Sequence, residues 1–571
     1  MTYRAPVKEI LFYLTEVLDA GRISQTERFA AATGDMIKAI LGEAARMSEE
    51  VLAPLNVPGD LHPAKLVDGS VQCSPGYDTG YKVISEGGWA GMSGDPKFGG
   101  MGLPLTLTSC VGEMMSGACL SLALNPLMTQ GQIEALEHHA NDEIKSLYLP
   151  KLISGQWTGT MNLTEAGAGS DVGALRTKAE DNGDGTYSVT GQKIFISWGD
   201  HDLAENICHL VLARLPDAVA GTKGISLFLV PKFLPDTDGT PNVANNAHAI
   251  SLEHKLGLHG SPTAIMEFAG ATGWMVGAEG GGMAAMFTMM NNARIGVGVQ
   301  GLSQAEAATQ KALEYAMDRK QGRSPIEGGT GTILDHADVR RNIMTMKTLT
   351  ASARAVILDA AISVDLSRAL NGDDGQVQAA RGAFLTPIAK AFGTDIGCEV
   401  ADIGVQVHGG MGYIEETGAA QYYRDVRVTA IYEGTNGIQA MDLVGRKLMD
   451  GGVAAFGLLA EIRHTAAIAE EAAPDLAAFL AGAEASLSAT VRWMLEAEIN
   501  DRFAGAAPFL RAFGLTLGGH YLLKAAMAGP VRMPLAEFHI RQTMKQVDGL
   551  CHAACEGAST LYALDADALS A

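Results

Sequence analysis

Apolar residues recur three and four apart in Glu9-Ile10-Leu11-Phe12-Tyr13-Leu14 and again across residues 29–52, where alanine is abundant. That spacing predicts helices with one buried stripe. Asp95-Pro96-Lys97-Phe98-Gly99-Gly100-Met101-Gly102-Leu103 interrupts the pattern with glycines and a proline, which marks a loop. Helical spacing resumes over residues 110–127 and 133–152. From about residue 161 the period changes to short β-rich runs: residues 187–197, 208–213, 225–230 and 265–268, with the turn Asn182-Gly183-Asp184-Gly185 before the first. These runs predict a compact antiparallel β domain between helical ones. Long alanine-rich helices then return over residues 305–317, 339–370 and 382–407, with a glycine-rich break at residues 328–332. The expected fold class is α+β, mostly α. Residues 1–160 form a helical domain with a short N-terminal extension, and residues 161–275 the middle β domain. Residues 276–447 form a C-terminal helical domain of four-helix type, and residues 448–571 a further helical extension.

Composition narrows the classes. The chain has 571 residues, 47% of them apolar and 19% charged, enough for several domains around substantial cores. A net charge of −22 and a pI near 5.0 disfavour a nucleic-acid backbone as partner, which needs a basic face. Seven scattered cysteines imply no disulfide framework. The trio Cys551-His552-x-x-Cys555 lacks a second ligand pair and reads as helix packing, so no metal is expected. Charge and proline interrupt the N-terminal segment, so it is not a secretory signal. No run of about 18 uncharged apolar residues predicts a membrane span. The expected compartment is the cytoplasm.

Two segments carry candidate chemistry. In Ile431-Tyr432-Glu433-Gly434-Thr435-Asn436-Gly437-Ile438-Gln439, one carboxylate stands between an aromatic residue and a glycine. Apolar walls around it would raise its pKa into the range of a catalytic base. In isolation the same tripeptide reads as an exposed loop glutamate. In Met161-Asn162-Leu163-Thr164-Glu165-Ala166-Gly167-Ala168-Gly169-Ser170-Asp171-Val172, glycines let backbone approach a flat ligand while Thr164 and Ser170 offer hydroxyls. It is neither a dinucleotide fingerprint nor a P-loop. Read alone, it is a structural loop.

Order supplies what the isolated motifs lack. The Thr164-Glu165-x-Gly167-Ala168-Gly169-Ser170-Asp171 segment, Gln406-Val407-His408-Gly409-Gly410-Met411-Gly412-Tyr413, Arg424-Asp425 and Tyr432-Glu433-Gly434-Thr435 follow one another along the chain. Together they resemble the acyl-CoA dehydrogenase family over roughly residues 80–445. The departures are Ala166 for the usual proline, Phe195 for a common tryptophan, Ser197 for threonine, Asn291 for aspartate and Gly437 for glutamine.

The resemblance implies an FAD enzyme that converts an acyl-CoA thioester to a trans-2-enoyl-CoA, with Glu433 as the catalytic base. It assigns Met161, Leu163, Thr164, Phe195 and Ser197 to the flavin and Thr435 and Asn436 to the cofactor beside the base. It gives Arg319, Gln406 and Gly410 to FAD shared with a neighbouring subunit, and so implies a homo-oligomer, a dimer or a dimer of dimers. Ser170, Asn291, Arg294, Tyr432 and Gly434 fall to the substrate, and the electrons to an electron-transfer flavoprotein. The N-terminus and the long extension are most similar to members acting on 3-(methylthio)propanoyl-CoA in dimethylsulfoniopropionate breakdown. Met114, Met115, Met286, Met289 and Met290 offer polarisable walls to a thioether, but core packing is the better reading of them. The alternatives are a general short- or medium-chain dehydrogenase, an acyl-CoA oxidase and, remotely, a non-catalytic DNA-associated flavoprotein, which needs a basic extension that residues 450–571 lack.

Overall fold

The computed structural model describes residues 3–571, with the side chains of Asn291 and Asn292 excepted. Short helices between Val7 and Glu86 lead into α1 (Leu105–His139) and α2 (Asp142–Ile153). Where sequence spacing suggests a break near residue 130, helix continues through Pro126, and the interruption lies instead at Cys119 (φ −155°, ψ 89°). The kink is invisible to periodicity because residues on both sides of it are buried, so no polar face marks a change of direction.

Seven strands then form the main sheet: β1 (Trp157–Asn162), β2 (Lys178–Asp181), β3 (Tyr187–Ser197), β4 (Asn206–Arg214), β5 (Ile225–Pro231), β6 (Ala247–Leu252) and β7 (Thr263–Val276). Their order is β6-β7-β3-β2-β4-β1, and β5 pairs with both β7 and β4, so the sheet curls back on itself. The expectation of a purely antiparallel sheet is corrected here. β1 runs parallel to β4, Trp157 opposite Asn206 through Asn162 opposite Val211. No hairpin joins this pair; the chain leaves β1 through the glycine-rich loop and returns after β2 and β3, a connection long enough for parallel pairing. β1 is buried at every position, as a strand covered on both faces should be.

The helical core comprises α3 (Gly282–Asp318), α4 (Ala337–Ala369) and α5 (Gly372–His408), each reaching beyond the stretch of clear periodicity. α3 and α5 run side by side in nearly direct backbone contact. A Cβ on Gly301 would lie 2.4 Å from the Gly393 carbonyl oxygen, and one on Gly298 would lie 2.5 Å from that of Ala389. Arg354 on α4 ties α1 to the core, pairing with Glu113 of α1 (2.6 Å) and Glu306 of α3 (2.7 Å), with Arg354 and Glu113 both buried. α6 (Ala419–Val426) and α7 (Asn436–Asp442) flank the segment that carries Glu433.

After Gly451 and Gly452, both left-handed, the extension forms α8 (Val453–Ala469), α9 (Pro474–Glu496), α10 (Ile499–Ala528) and α11 (Val547–Ala554). It packs on the core. Phe513 meets Phe384 edge-on at 5.1 Å, and the Tyr521 hydroxyl donates to buried Asp359 on α4 at 2.5 Å. By length and composition α1 could span a membrane, contrary to the sequence expectation, since its best window has a mean hydropathy of 1.4. That window is 94% buried inside the fold, so its apolar surface is spent on the core.

Candidate active site

Glu433 is displayed by backbone strain. It adopts φ 57° and Gly434 φ 81°. A left-handed non-glycine residue costs on the order of 1 kcal/mol and persists only where its surroundings hold it. Here two side chains do so. Gln439 Nε2 donates to the carbonyls of Glu433 (3.1 Å) and Gly434 (3.3 Å), and Lys390 Nζ, from α5, donates to Gly434 O at 2.9 Å. Thr435 then caps α7, its hydroxyl accepting from Ile438 N at 3.3 Å.

Tyr432, half-buried, donates its hydroxyl to Gln300 on α3. Burial pushes the Glu433 carboxyl up to about 7, while the positive charges of Arg294 and Lys390 pull it back. Arg294 is 6% exposed; its nearest counter-charge, Asp442, stands 3.8 Å away, and its Nε has no partner among the described residues. Asn291 lies on the same helix, but its side chain is outside the described residues.

The Asn436 side chain is bonded to α5. Its amide donates to Asp395 Oδ1 (2.6 Å) and Thr394 Oγ1 (2.9 Å) while accepting from Lys390 Nζ (2.8 Å). α5 thus supplies partners for its polar atoms, and the side chain braces the turn.

A second group gathers at one edge of the sheet. Phe195 sits at φ 61° with 59% of its surface exposed, and half-buried Ser197 ends the same strand. Thr164 O accepts from Ile194 N at 2.9 Å, and Leu163 O from Lys193 Nζ at 3.0 Å. Lys193 is wholly buried and paired with Glu165 at 2.8 Å; Glu165 also receives the N–H groups of Arg176 (2.7 Å) and Thr177 (3.0 Å). Next to the strand end, Trp198 donates to Ser121 O at 3.2 Å, fixing this edge to the kink of α1. Met161 is buried in β1 and Ser170 is exposed beyond open Gly167 and Gly169. An exposed aromatic ring on strained backbone beside an open glycine loop fits a flat ring system laid against it.

A third group lies apart. Gln406 and Gly410 stand at the end of α5, about 24 Å along the helix from Lys390 at 1.5 Å per residue. Exposed Arg319 follows α3 at the same end, where Tyr315 stacks on His408 at 4.5 Å. One chain does not bring these residues to Glu433.

Between the two arms of α1 and α3 runs an apolar cavity lined by Met115, Pro126, Leu127, Gln130, Gly296 and Val299. Val299, in its wall, precedes Gln300, the partner of Tyr432. Of the five methionines only Met115 lines it; Met114, Met286 and Met289 are fully buried. Sequence reasoning missed Lys193, Glu165, Gln300 and Lys390. The available signal was a lysine in an otherwise apolar run, as in Ile388-Ala389-Lys390-Ala391-Phe392, because lysine is almost never fully buried unless it is partnered.

Comparison with known proteins is consistent along the whole chain. Residues 72–156, 160–271 and 280–449 match the N-terminal, middle and C-terminal domains of acyl-CoA dehydrogenase, and residues 458–565 match an acetyl-CoA dehydrogenase C-terminal-like domain. The chain is 43% identical over 544 residues to 3-methylmercaptopropionyl-CoA dehydrogenase of Ruegeria pomeroyi, covering 93% of this chain and 92% of that protein. The acyl-CoA dehydrogenase of Bacillus anthracis solved with FAD shares the fold, with a TM-score of 0.74 at 19% identity over 100% of this chain and 94% of that one. A chain from the electron transferring flavoprotein structure of Acidaminococcus fermentans superposes with a TM-score of 0.59 at 26% identity, over 72% of this chain and 96% of that one. The chain belongs to the acyl-CoA dehydrogenase family of FAD-dependent oxidoreductases.

Proposed function

We propose that the protein dehydrogenates an acyl-CoA thioester between Cα and Cβ, with Glu433 as the base that removes the α proton. The observation carrying this reading is one carboxylate, held on strained backbone, whose pKa of about 7 lets it ionise at neutral pH and still accept a proton. The Glu433 N–H donates to no protein group among the described residues. It is free to bind the thioester oxygen as negative charge develops there, and such a preorganised donor contributes about 3–4 kcal/mol. Thr164, Phe195 and Ser197 would hold FAD at the sheet edge, with Met161 and Leu163 beneath it. When bound there, FAD supplies the acceptor for the β hydride. Arg294, Tyr432, Gly434, Ser170 and Asn291 are the proposed substrate contacts, and the apolar cavity excludes water from the acyl chain.

Arg319, Gln406 and Gly410 are read as contacts to FAD of a second subunit, which their distance from Glu433 supports. The working form is then a homo-oligomer, and the seven free cysteines fit a reducing cytoplasm. The proposed substrate is 3-(methylthio)propanoyl-CoA, and with it a role in dimethylsulfoniopropionate breakdown. Its support is the relative with 43% identity and Met115 in the cavity wall. The proposed electron acceptor is an electron-transfer flavoprotein, on the structural likeness to a chain from such a system. Turnover with a panel of acyl-CoA thioesters, 3-(methylthio)propanoyl-CoA and butyryl-CoA among them, tests the substrate. A higher kcat/KM for the methylthio compound supports the assignment, and equal or lower values refute it. Fast peroxide formation without an added acceptor would make the protein an oxidase.

A further inference from the structure

We propose that Lys390 is a positioning residue for the reaction, clamping the turn that carries Glu433 and setting the charge its carboxylate feels. The inference rests on the reading of Glu433 as the base.

Lys390 stands among buried Ile388, Ala389, Ala391 and Phe392, and its own side chain has no exposed surface. An apolar side chain could occupy that space without the desolvation cost of a buried ammonium. Two of its three protons are committed, to Gly434 O at 2.9 Å and Asn436 Oδ1 at 2.8 Å, and both acceptors belong to the turn that displays Glu433. Both are neutral. Among the described residues no carboxylate lies within ion-pair distance of Lys390, so contact does not neutralise its charge.

The groups in its field are Glu433 first, then Asp395 and Cys398 on α5, with Arg294 on α3 opposing. Asp395 is occupied by the Asn436 amide at 2.6 Å. Glu433, in turn, faces Arg294 from α3 and Lys390 from α5, with neighbouring Tyr432 beside it. Lys390 is thus bonded to the carbonyl one residue beyond the base while its charge reaches the carboxylate without touching it. Such an arrangement stabilises the ionised base and leaves both carboxylate oxygens free for a proton.

The test is the pH profile of flavin bleaching in the FAD-loaded enzyme with saturating 3-(methylthio)propanoyl-CoA or butyryl-CoA. Lys390→Met, Lys390→Gln and Lys390→Arg are compared, with FAD content and Tm recorded for each. In Lys390→Met the acidic limb should move up by about one unit, as expected for loss of one nearby opposite charge. The rate at pH 7 should fall about tenfold and recover in part at pH 9. Lys390→Gln keeps a donor for Gly434 O without the charge, so it should show the same limb shift with a smaller loss at high pH. Should Lys390→Met lose FAD, Lys390→Gln carries the comparison. Lys390→Arg should restore the limb. A loss equal at every pH, with the limb unmoved in both neutral variants, would reduce Lys390 to a structural residue and overturn the inference. Retained bleaching in Glu433→Gln would instead remove the reading on which it rests.

Discussion

Two buried lysines hold the two sides of the candidate site, and they are used differently. Lys193 supports the sheet edge and Lys390 supports the turn of Glu433; each has no exposed surface, and burial lowers each to about 8. Each donates to a backbone carbonyl of a segment placed at the site, Leu163 O in one case and Gly434 O in the other. Lys193 also touches a full carboxylate, Glu165, and is neutralised by it. Among the described residues Lys390 meets only neutral acceptors. The contrast separates a clamp that fixes shape from one whose charge remains available to a reacting group.

Breaking the neutralised pair should have the largest effect on stability. Lys193→Met leaves half-buried Glu165 without its counter-charge, an expected loss of about 3 kcal/mol. Thermal denaturation and FAD retention both read this, and an unchanged Tm would show that the pair is not a clamp. On the other side, Asn436→Ala removes an acceptor from Lys390 and a donor from Asp395, which should cost about 1–3 kcal/mol in urea denaturation. Gly434→Ala puts a side chain at φ 81° and should cost roughly 1 kcal/mol in stability, with a drop in bleaching rate that exceeds any change in KM. The smallest effect is expected from Thr435→Val, which deletes the cap of a seven-residue helix and should cost about 1 kcal/mol or less.

The same contrast explains what could be read in the chain before folding. Glu433 is legible because its neighbours are a local word, Tyr432-Glu433-Gly434-Thr435, and β3 because the β-rich run over residues 187–197 is local too. Lys193 and Lys390 are not, since their partners lie 28 and 44 residues away and no spacing rule connects them. The parallel placement of β1 and the kink at Cys119 escaped for a related reason. Both are set by burial on every side, which erases the polar face that periodicity reads. Asn436 shows the other side of this: the motif singles it out, and only the structure shows its amide bonded to Thr394 and Asp395 of α5.

The most direct measurement is flavin bleaching by saturating acyl-CoA across pH 5.5–9.5, comparing the native chain with Glu433→Gln. Glu433 must be ionised to accept a proton, so the native rate should rise through an apparent pKa near 7, the value set by burial against Arg294 and Lys390. Glu433→Gln should bind the thioester, retain FAD and bleach at least a thousandfold more slowly, with that limb gone, as order-of-magnitude loss of the base requires. Undiminished bleaching in Glu433→Gln, or a native profile flat through pH 7, would contradict the account.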